Sequence, residues 1–279
     1  MKYTTSAVCL FVVAAVAAHA QPSTAPANLD HFNCYLAKGP VQPQLAILKD
    51  QFDIGNVEVV QDIRMALFCN PVQKTYNGAV TNILHPADHL AMYLIPPEPL
   101  VPRTVTVQNQ FGVQNLVTRR AVILAVPSGK SPINSTTPPQ LPPIPNPNEL
   151  DHFKCYGASG QAPNALVTLK DQFLTLHTRV LEPILFCNPV MKVVPTATAA
   201  GVAGSTVTPI LNPTAHLTCY TEIPTPFQSV VVYNNQFVPP NTLPTVPIGN
   251  AEILCVPSLK LKWAVVTSTG TTGGNPNGN

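Results

Sequence analysis

Histidine, cysteine, serine and lysine recur at fixed spacings along this 279-residue chain, and these residue types bind metals or act in catalysis. His31, His152 and His216 each stand three residues before a cysteine, and imidazole with thiolate is a zinc-ligand combination. Ser128 and Ser258 each stand two residues before a lysine, so that a Ser/Lys pair would share one face of a strand. The spacing thus raises two chemistries, metal binding and nucleophilic catalysis.

The sequence lacks the further residues that either a metal site or a nucleophilic catalytic site would need. No repeated segment carries two histidines at ligand spacing, and cysteines of an exported protein form disulfides rather than thiolate ligands. Gly-x-Ser-x-Gly, His-Glu-x-x-His and phosphate-binding loops are all absent from the sequence. A catalytic group is normally needed once, so groups present four times favour a structural role, and we expect no catalytic residue, metal or cofactor. These groups are His31, His89, His152 and His216; Gln51, Gln110, Gln172 and Gln236; Lys74, Lys130, Lys192 and Lys260; and Tyr35, Tyr93, Tyr156 and Tyr220.

The N-terminus has the pattern of a secretory signal peptide over residues 1–20. Lys2 supplies the positive charge, an apolar run follows, and Ala18-His19-Ala20 is a small-x-small cleavage site. The run is too short to span a bilayer, which needs about 20 apolar residues. We expect the mature chain to begin at Gln21 and to be secreted, periplasmic or on the cell surface.

The mature chain contains two copies of one sequence. Leu29-Asp30-His31-Phe32-Asn33-Cys34-Tyr35 returns at 150–156, Leu48-Lys49-Asp50-Gln51-Phe52 at 169–173, and the segment 67–74 at 185–192, with 18 of 20 positions identical. Each copy is itself double, because the order His-x-x-Cys-Tyr, Gln-Phe and Cys-x-Pro with a following Lys recurs within it. This order defines four units, which begin at His31, His89, His152 and His216 and end at Lys74, Lys130, Lys192 and Lys260.

The second unit indicates how the cysteines pair. Met92 and Ala125 stand where the other units have their two cysteines, so both cysteines of one unit are missing together. If partners lay in different units, this loss would leave lone thiols, whereas pairing within a unit leaves none. Pairing within each unit is therefore the economical arrangement, and pairing between units stays open only if the two losses are coincidental. The predicted disulfides are Cys34–Cys69, Cys155–Cys187 and Cys219–Cys255.

The elements Leu-Asp-His-Phe-x-Cys-Tyr, Asp-Gln-Phe, Leu-Cys-Asn-Pro-Val-x-Lys and Leu-Cys-Val-Pro-Ser-x-Lys resemble a secreted bacterial repeat domain family without an assigned biochemical role. They stand here at 150–156, 171–173, 186–192 and 254–260, and the first three also at 29–35, 50–52 and 68–74. The resemblance implies a secreted β-rich module and carries no catalytic residue. Met92 and Ala125 depart from its pattern.

Local patterns predict an all-β fold. Short β-branched runs such as 104–107, 165–169 and 230–233 alternate with turn residues, and no stretch sustains a helical apolar stripe. We expect two tandem antiparallel β-sandwich or barrel-like domains, each of two pseudo-symmetric disulfide-closed units. The expected segments are a signal peptide at 1–20, domain 1 at 29–130, a Pro-rich linker at 131–149, domain 2 at 150–263 and a disordered tail at 264–279.

Composition and motifs favour a non-enzymatic module with a structural, adhesive or binding role at or outside the cell surface. A net charge of +2 is too small for a nucleic-acid footprint, and no mature segment is long and apolar enough to span a membrane. A cell-surface glycan or protein is the expected partner. The alternatives are a polysaccharide-binding module and an exported hydrolase with its site in the loops at 76–88 or 194–215, where His85, Asp88 or Glu222 would converge.

Overall fold

The computed structural model describes residues 26, 28–53, 58–97, 99–132, 141–144, 150–197, 203–239 and 242–267. The described residues form strands, turns and loops, which confirms the expected all-β class. Over this part of the chain, no helix is long and apolar enough to cross a membrane. The expected signal peptide and most of the expected linker lie outside the described residues.

Eight strands form the central sheet, two from each unit. They are β1 (His31–Ala37), β5 (Ile63–Tyr76), β7 (His89–Leu94), β9 (Gly112–Pro132), β10 (Phe153–Ser159), β12 (Thr175–Pro189), β15 (His216–Thr225) and β17 (Thr245–Val265). The other strands are β2 (Val41–Gln42), β3 (Ala46–Lys49), β4 (Glu58–Val60), β6 (Ala79–Thr81), β8 (Arg103–Asn109), β11 (Ala165–Lys170), β13 (Met191–Ala197), β14 (Ala203–Thr208) and β16 (Ser229–Asn234).

The central sheet is closed. Its antiparallel pairs run β1–β5–β7–β9–β10–β12–β15–β17, and β17 pairs back with β1, where Phe32 lies opposite Cys255. The first and last units of the chain are therefore neighbours. Closure leaves these eight strands without a free edge along their paired lengths.

The disulfides lie inside the closed sheet. Cys34–Cys69, Cys155–Cys187 and Cys219–Cys255 are the observed bridges, the same three pairs that the missing cysteines of unit 2 indicate. They share one fully buried apolar cluster with Phe32, Leu90, Phe153 and Leu217, which come from all four units. The Cys34 and Cys255 sulfur atoms, which belong to different bridges, are 3.8 Å apart. An eight-stranded closed sheet has an interior that side chains just fill, and here much of that filling is sulfur.

The opposite face of the closed sheet carries a second, larger core. It contains Tyr35, Phe68, Tyr93 and Phe186 of the central strands together with residues of β3, β8, β11 and β16, which cover this face. A four-stranded sheet in the order β14–β13–β3–β4 joins unit 3 to unit 1 on the same side. Alternate residues of the central strands thus divide between the two cores, as the period of two requires.

The two sequence copies share this architecture instead of forming separate sheets. Strand β10 of the second copy pairs with β9 of the first, and β1 of the first pairs with β17 of the second. The tandem two-domain arrangement is therefore not confirmed, because each copy contributes half of one closed sheet. Strand β17 extends to Val265, two residues into the expected tail, and residues 268–279 lie outside the described part.

We predict that a fourth disulfide can be built into unit 2. Met92 lies directly opposite Ala125, as Cys34 lies opposite Cys69, and the natural bridges close separations of 32–36 residues. The double substitution Met92→Cys with Ala125→Cys should oxidise and stabilise the chain by about 3–4 kcal/mol at most. Non-reducing peptide mapping and thermal unfolding measure this, with Ala125→Cys alone as the matched control. Two free thiols after oxidation of the folded double variant would contradict the register.

We further predict that neither copy folds alone. A fragment of residues 21–132 lacks both strands that close its ends, so its circular dichroism and NMR spectra should show no cooperative fold. A protease site placed within 133–140 provides the control, because the nicked halves should remain associated through the β9–β10 and β1–β17 pairs. A folded, monomeric fragment would show that the copies are independent.

Candidate functional site

The repeated Gln-Phe segments are turns, and each begins with Asp or Asn. The side-chain oxygen of this residue accepts a hydrogen bond from the backbone N–H of the Phe two residues later, at 2.7–3.0 Å in the four units. A short polar side chain that bonds its own backbone in this way fixes a tight turn. The four turns begin at Asp50, Asn109, Asp171 and Asn235.

Each turn is bonded to a tyrosine two units away. Tyr35 of unit 1 donates to Asp171 of unit 3 at 2.8 Å, and the Asn109 amide of unit 2 donates to the Tyr220 hydroxyl of unit 4, also at 2.8 Å. The remaining two contacts are Tyr156 donating to Asp50 at 3.0 Å and Asn235 donating to the Tyr93 hydroxyl at 2.9 Å. We call each such turn-and-tyrosine pair a latch. The repeated tyrosines are fully or almost fully buried, so these bonds replace water.

A lysine of the preceding unit lies against each turn, and we count it as part of the latch. Its ammonium lies over the ring of the turn's Phe, with distances from nitrogen to ring centre of 3.9–4.8 Å. The pairs are Lys74 over Phe111, Lys130 over Phe173, Lys192 over Phe237 and Lys260 over Phe52. An aromatic face attracts a cation, and this attraction is larger where water is excluded. The repeated Lys and Phe therefore join neighbouring units.

Burial changes the protonation of the latch groups. Desolvation lowers the pKa of Lys74, Lys130 and Lys192 to about 7, and that of Lys260 to about 8. Lys74, Lys130 and Lys260 donate to amide oxygens of Gln110, Asn70 and Asn188, whereas Lys192 Nζ has no hydrogen-bond partner among the residues that the structure describes. The amines are thus poorly solvated: Lys74, Lys130 and Lys192 are about half protonated at pH 7, and Lys260 is mostly protonated.

The four repeated histidines are neutral and structural in their contacts. Burial, and then the charge of the lysine of the same unit, lowers the pKa of His89 and His152, and lowers that of His216 to about 3. His216 also stacks on Phe186, with ring centres 5.5 Å apart. Among the described residues, no group of His, Cys, Asp and Glu could hold a metal ion. The Ser128 and Ser258 hydroxyls are bonded to backbone carbonyls at 3.0 Å.

The residues named for a hydrolase lie beside different groups. The His85 ring lies 3.7 Å from the Asp30 carboxylate, and its carbonyl accepts from the backbone N–H of Asp88. Glu222 lies instead beside the latch of Tyr35 and Asp171, where its carboxyl is buried and neither oxygen has a hydrogen-bond partner in the described part of the chain. Burial and the Asp171 charge raise the pKa of Glu222 to about 8, so this carboxyl is largely protonated at neutral pH.

One pocket lies at an end of the closed sheet, and the sequence did not indicate it. It measures about 220 Å³ and is lined by the segment before β1, the start of β10 and the loop that leads into β15. Apolar side chains of Leu29, Leu150 and Phe153 and polar side chains of Asp151 and Asn212 share its wall. Asp151 is almost fully buried and accepts backbone N–H bonds from Leu211 and Asn212 at 2.7 and 2.8 Å.

The loop that lines the pocket corresponds to a loop of the first copy. The segment Ile-Leu-Asn-Pro-Thr-Ala-His at 210–216 corresponds to Ile-Leu-His-Pro-Ala-Asp-His at 83–89. The differences between these two segments are the only sequence signal for the pocket, and they become informative once both loops are located.

Comparisons with known proteins give no further information on this site. No family model, curated protein or solved structure matches the chain. The resemblance to a secreted repeat family therefore stays a prediction.

We predict that Glu222 makes stability depend on pH. The folded protein keeps a proton up to about pH 8 that the unfolded chain releases near pH 4.5, so stability falls as pH rises between these values. The slope is about 1.4 kcal/mol per pH unit at most. Glu222→Gln should match the parent chain near pH 4 and be clearly more stable at pH 8, as measured by urea unfolding. The exposed Glu182→Gln serves as control, and parallel pH profiles for the parent and Glu222→Gln would refute the prediction.

Proposed function

We propose that this chain is an exported, non-enzymatic β-module with a structural, adhesive or binding role at or outside the cell surface. The observation that carries the proposal is the use made of its repeated polar groups. The latch Asp, Asn, Tyr and Lys side chains are bonded to or packed on other units, so the groups best suited to chemistry hold the fold together.

The bridges support an oxidising location. Three disulfides lie in the centre of the closed sheet, and their residues are fully buried. Disulfides form and persist in secreted, periplasmic and surface proteins. Together with the expected signal peptide they support secretion or display at the cell surface.

The pocket beside Asp151 favours a binding role, and a polysaccharide-binding module is the second candidate. Its wall combines a carboxylate, amide and hydroxyl groups with apolar side chains, which is the mixture that small-molecule sites use. An exported hydrolase is the weaker alternative, because His85 lies beside Asp30, whereas Glu222 is buried beside Tyr35 and Asp171.

The test is saturable binding to cells or envelope polysaccharide by the oxidised chain from Gln21 onward. We expect binding without turnover of ester, peptide or glycoside substrates. The same chain, reduced and alkylated at its six cysteines, is the control and should lose binding, because the bridges occupy the centre of the sheet. Hydrolysis of any of these substrates, or no saturable binding, would contradict the proposal.

A further inference from the structure

The loops at 83–89 and 210–216 occupy equivalent places in the two copies. Asp30 accepts the backbone N–H groups of Leu84 and His85 at 2.7 and 2.8 Å. Asp151 accepts those of Leu211 and Asn212 at the same two distances. A latch glutamine also reaches each loop, since Gln172 donates to the Pro86 carbonyl and Gln51 to the Pro213 carbonyl. The first loop therefore shows what the second lacks.

What differs is the group that faces the carboxylate. In the first loop the His85 imidazole lies 3.7 Å from Asp30, whereas Asn212 takes the place of His85 in the second. Among the described residues, Asp151 has no ion-pair partner, and the pocket of about 220 Å³ lies against it. Ala215 in place of Asp88 removes further side-chain volume. The second loop thus has an open space where the first has a basic ring.

The carboxylate of Asp151 can accept more bonds than it makes. Each of its oxygens takes one backbone N–H, and an ionised carboxylate has about four acceptor positions. The residue is only 4% exposed, and a buried carboxylate without a positive partner is unfavourable. A ligand with a positively charged N–H group would occupy the place beside Asp151 that the His85 ring occupies beside Asp30.

The remaining wall restricts the ligand further. Leu29 and Leu150 offer apolar surface, while Asn212 and Thr214 offer amide and hydroxyl groups. An apolar cavity of about 150 Å³ holds a benzene molecule, so the present volume suits one six-membered ring with substituents. A ring with hydroxyl groups, one apolar face and an amine meets all of these conditions.

We propose that the pocket between Asp151 and Asn212 binds an amino sugar, whose ammonium group pairs with Asp151. This rests on the proposed binding role and names the ligand class of that site. The sugar hydroxyls bond Asn212 and Thr214, and the apolar face of the ring packs on Leu29 and Leu150.

The probes are glucosamine, glucose, N-acetylglucosamine and cyclohexylamine, titrated into the oxidised mature chain by calorimetry and ligand-observed NMR. Glucosamine should bind at least about tenfold more tightly than glucose or N-acetylglucosamine, because only its amine is charged. It should also bind more tightly than cyclohexylamine, which lacks hydroxyls. Equal binding of glucose and glucosamine, or no binding of glucosamine, would overturn the proposal.

Asn212→His tests the location, because it copies the first loop into the second. The imidazole should fill the pocket, face Asp151 and lower glucosamine affinity at least about tenfold. Glu182→Gln, at an exposed carboxyl that does not line the pocket, is the control and should leave affinity unchanged. Asp151→Asn keeps an acceptor for the loop and should remove the preference for glucosamine over glucose. Unchanged disulfide maps and melting temperatures show that the variants are folded; unchanged affinity in folded Asn212→His would place the site elsewhere and overturn the proposal.

The two proposals fail separately. A chain that binds cells but not glucosamine would overturn the amino-sugar site and leave the surface role standing. A chain that binds glucosamine through Asp151 but binds neither cells nor envelope polysaccharide would keep the site and overturn the surface role.

Discussion

The hydrogen bond between a turn of one unit and a tyrosine of the unit opposite is the interaction on which the rest of the structure depends. Asp171 accepts from Tyr35, and Asn109 donates to Tyr220, across sequence separations of 136 and 111 residues. Buried polar groups without partners are costly, so a unit that folded without its opposite would bury an unsatisfied hydroxyl. The latches therefore make the four units parts of one cooperative structure, although each has its own sequence repeat.

The same requirement explains why reactive residue types are present without a catalytic arrangement. In an open cleft, a lysine over a phenylalanine ring with a histidine beside it would indicate a catalytic site. Here both the lysine and the histidine are buried, and the lysine joins neighbouring units. Lys192 over Phe237 and His152 beside Lys192 illustrate the pattern. Desolvation brings the amine pKa near neutrality as a consequence of packing. A perturbed pKa marks a functional site only where solvent or substrate can reach the group.

Positions that break the fourfold pattern are the ones free to differ. Met92 and Ala125 replace a bridge with packing inside the closed sheet. Glu222 places a carboxyl where the equivalent positions of the other units hold Ala37, Ile95 and Ala158. Asn212 replaces a histidine and leaves a pocket next to Asp151. In a duplicated fold the repeated residues are constrained by their partners, whereas a change at a single copy alters one site and leaves three intact.

The sequence by itself determined the all-β class, the pairs of cysteines and the recurring His, Gln, Lys and Tyr residues, because these depend on local pattern and on comparing the units with one another. Joint loss of both cysteines in unit 2 indicated pairing within units. Only the tertiary structure decided that both copies close a single sheet, since β1–β17 and β9–β10 pairing joins segments whose edges look alike in sequence. The tertiary structure also decided which residues form the latches, because the partner of the Asp or Asn before each Gln-Phe is a tyrosine two units away in the sequence. The pocket was also decided by the tertiary structure. The sequence shows that Asn212 is a smaller side chain than its counterpart His85, but only the packing of Asn28 and Leu29 before β1 shows that the space beside Asn212 is open.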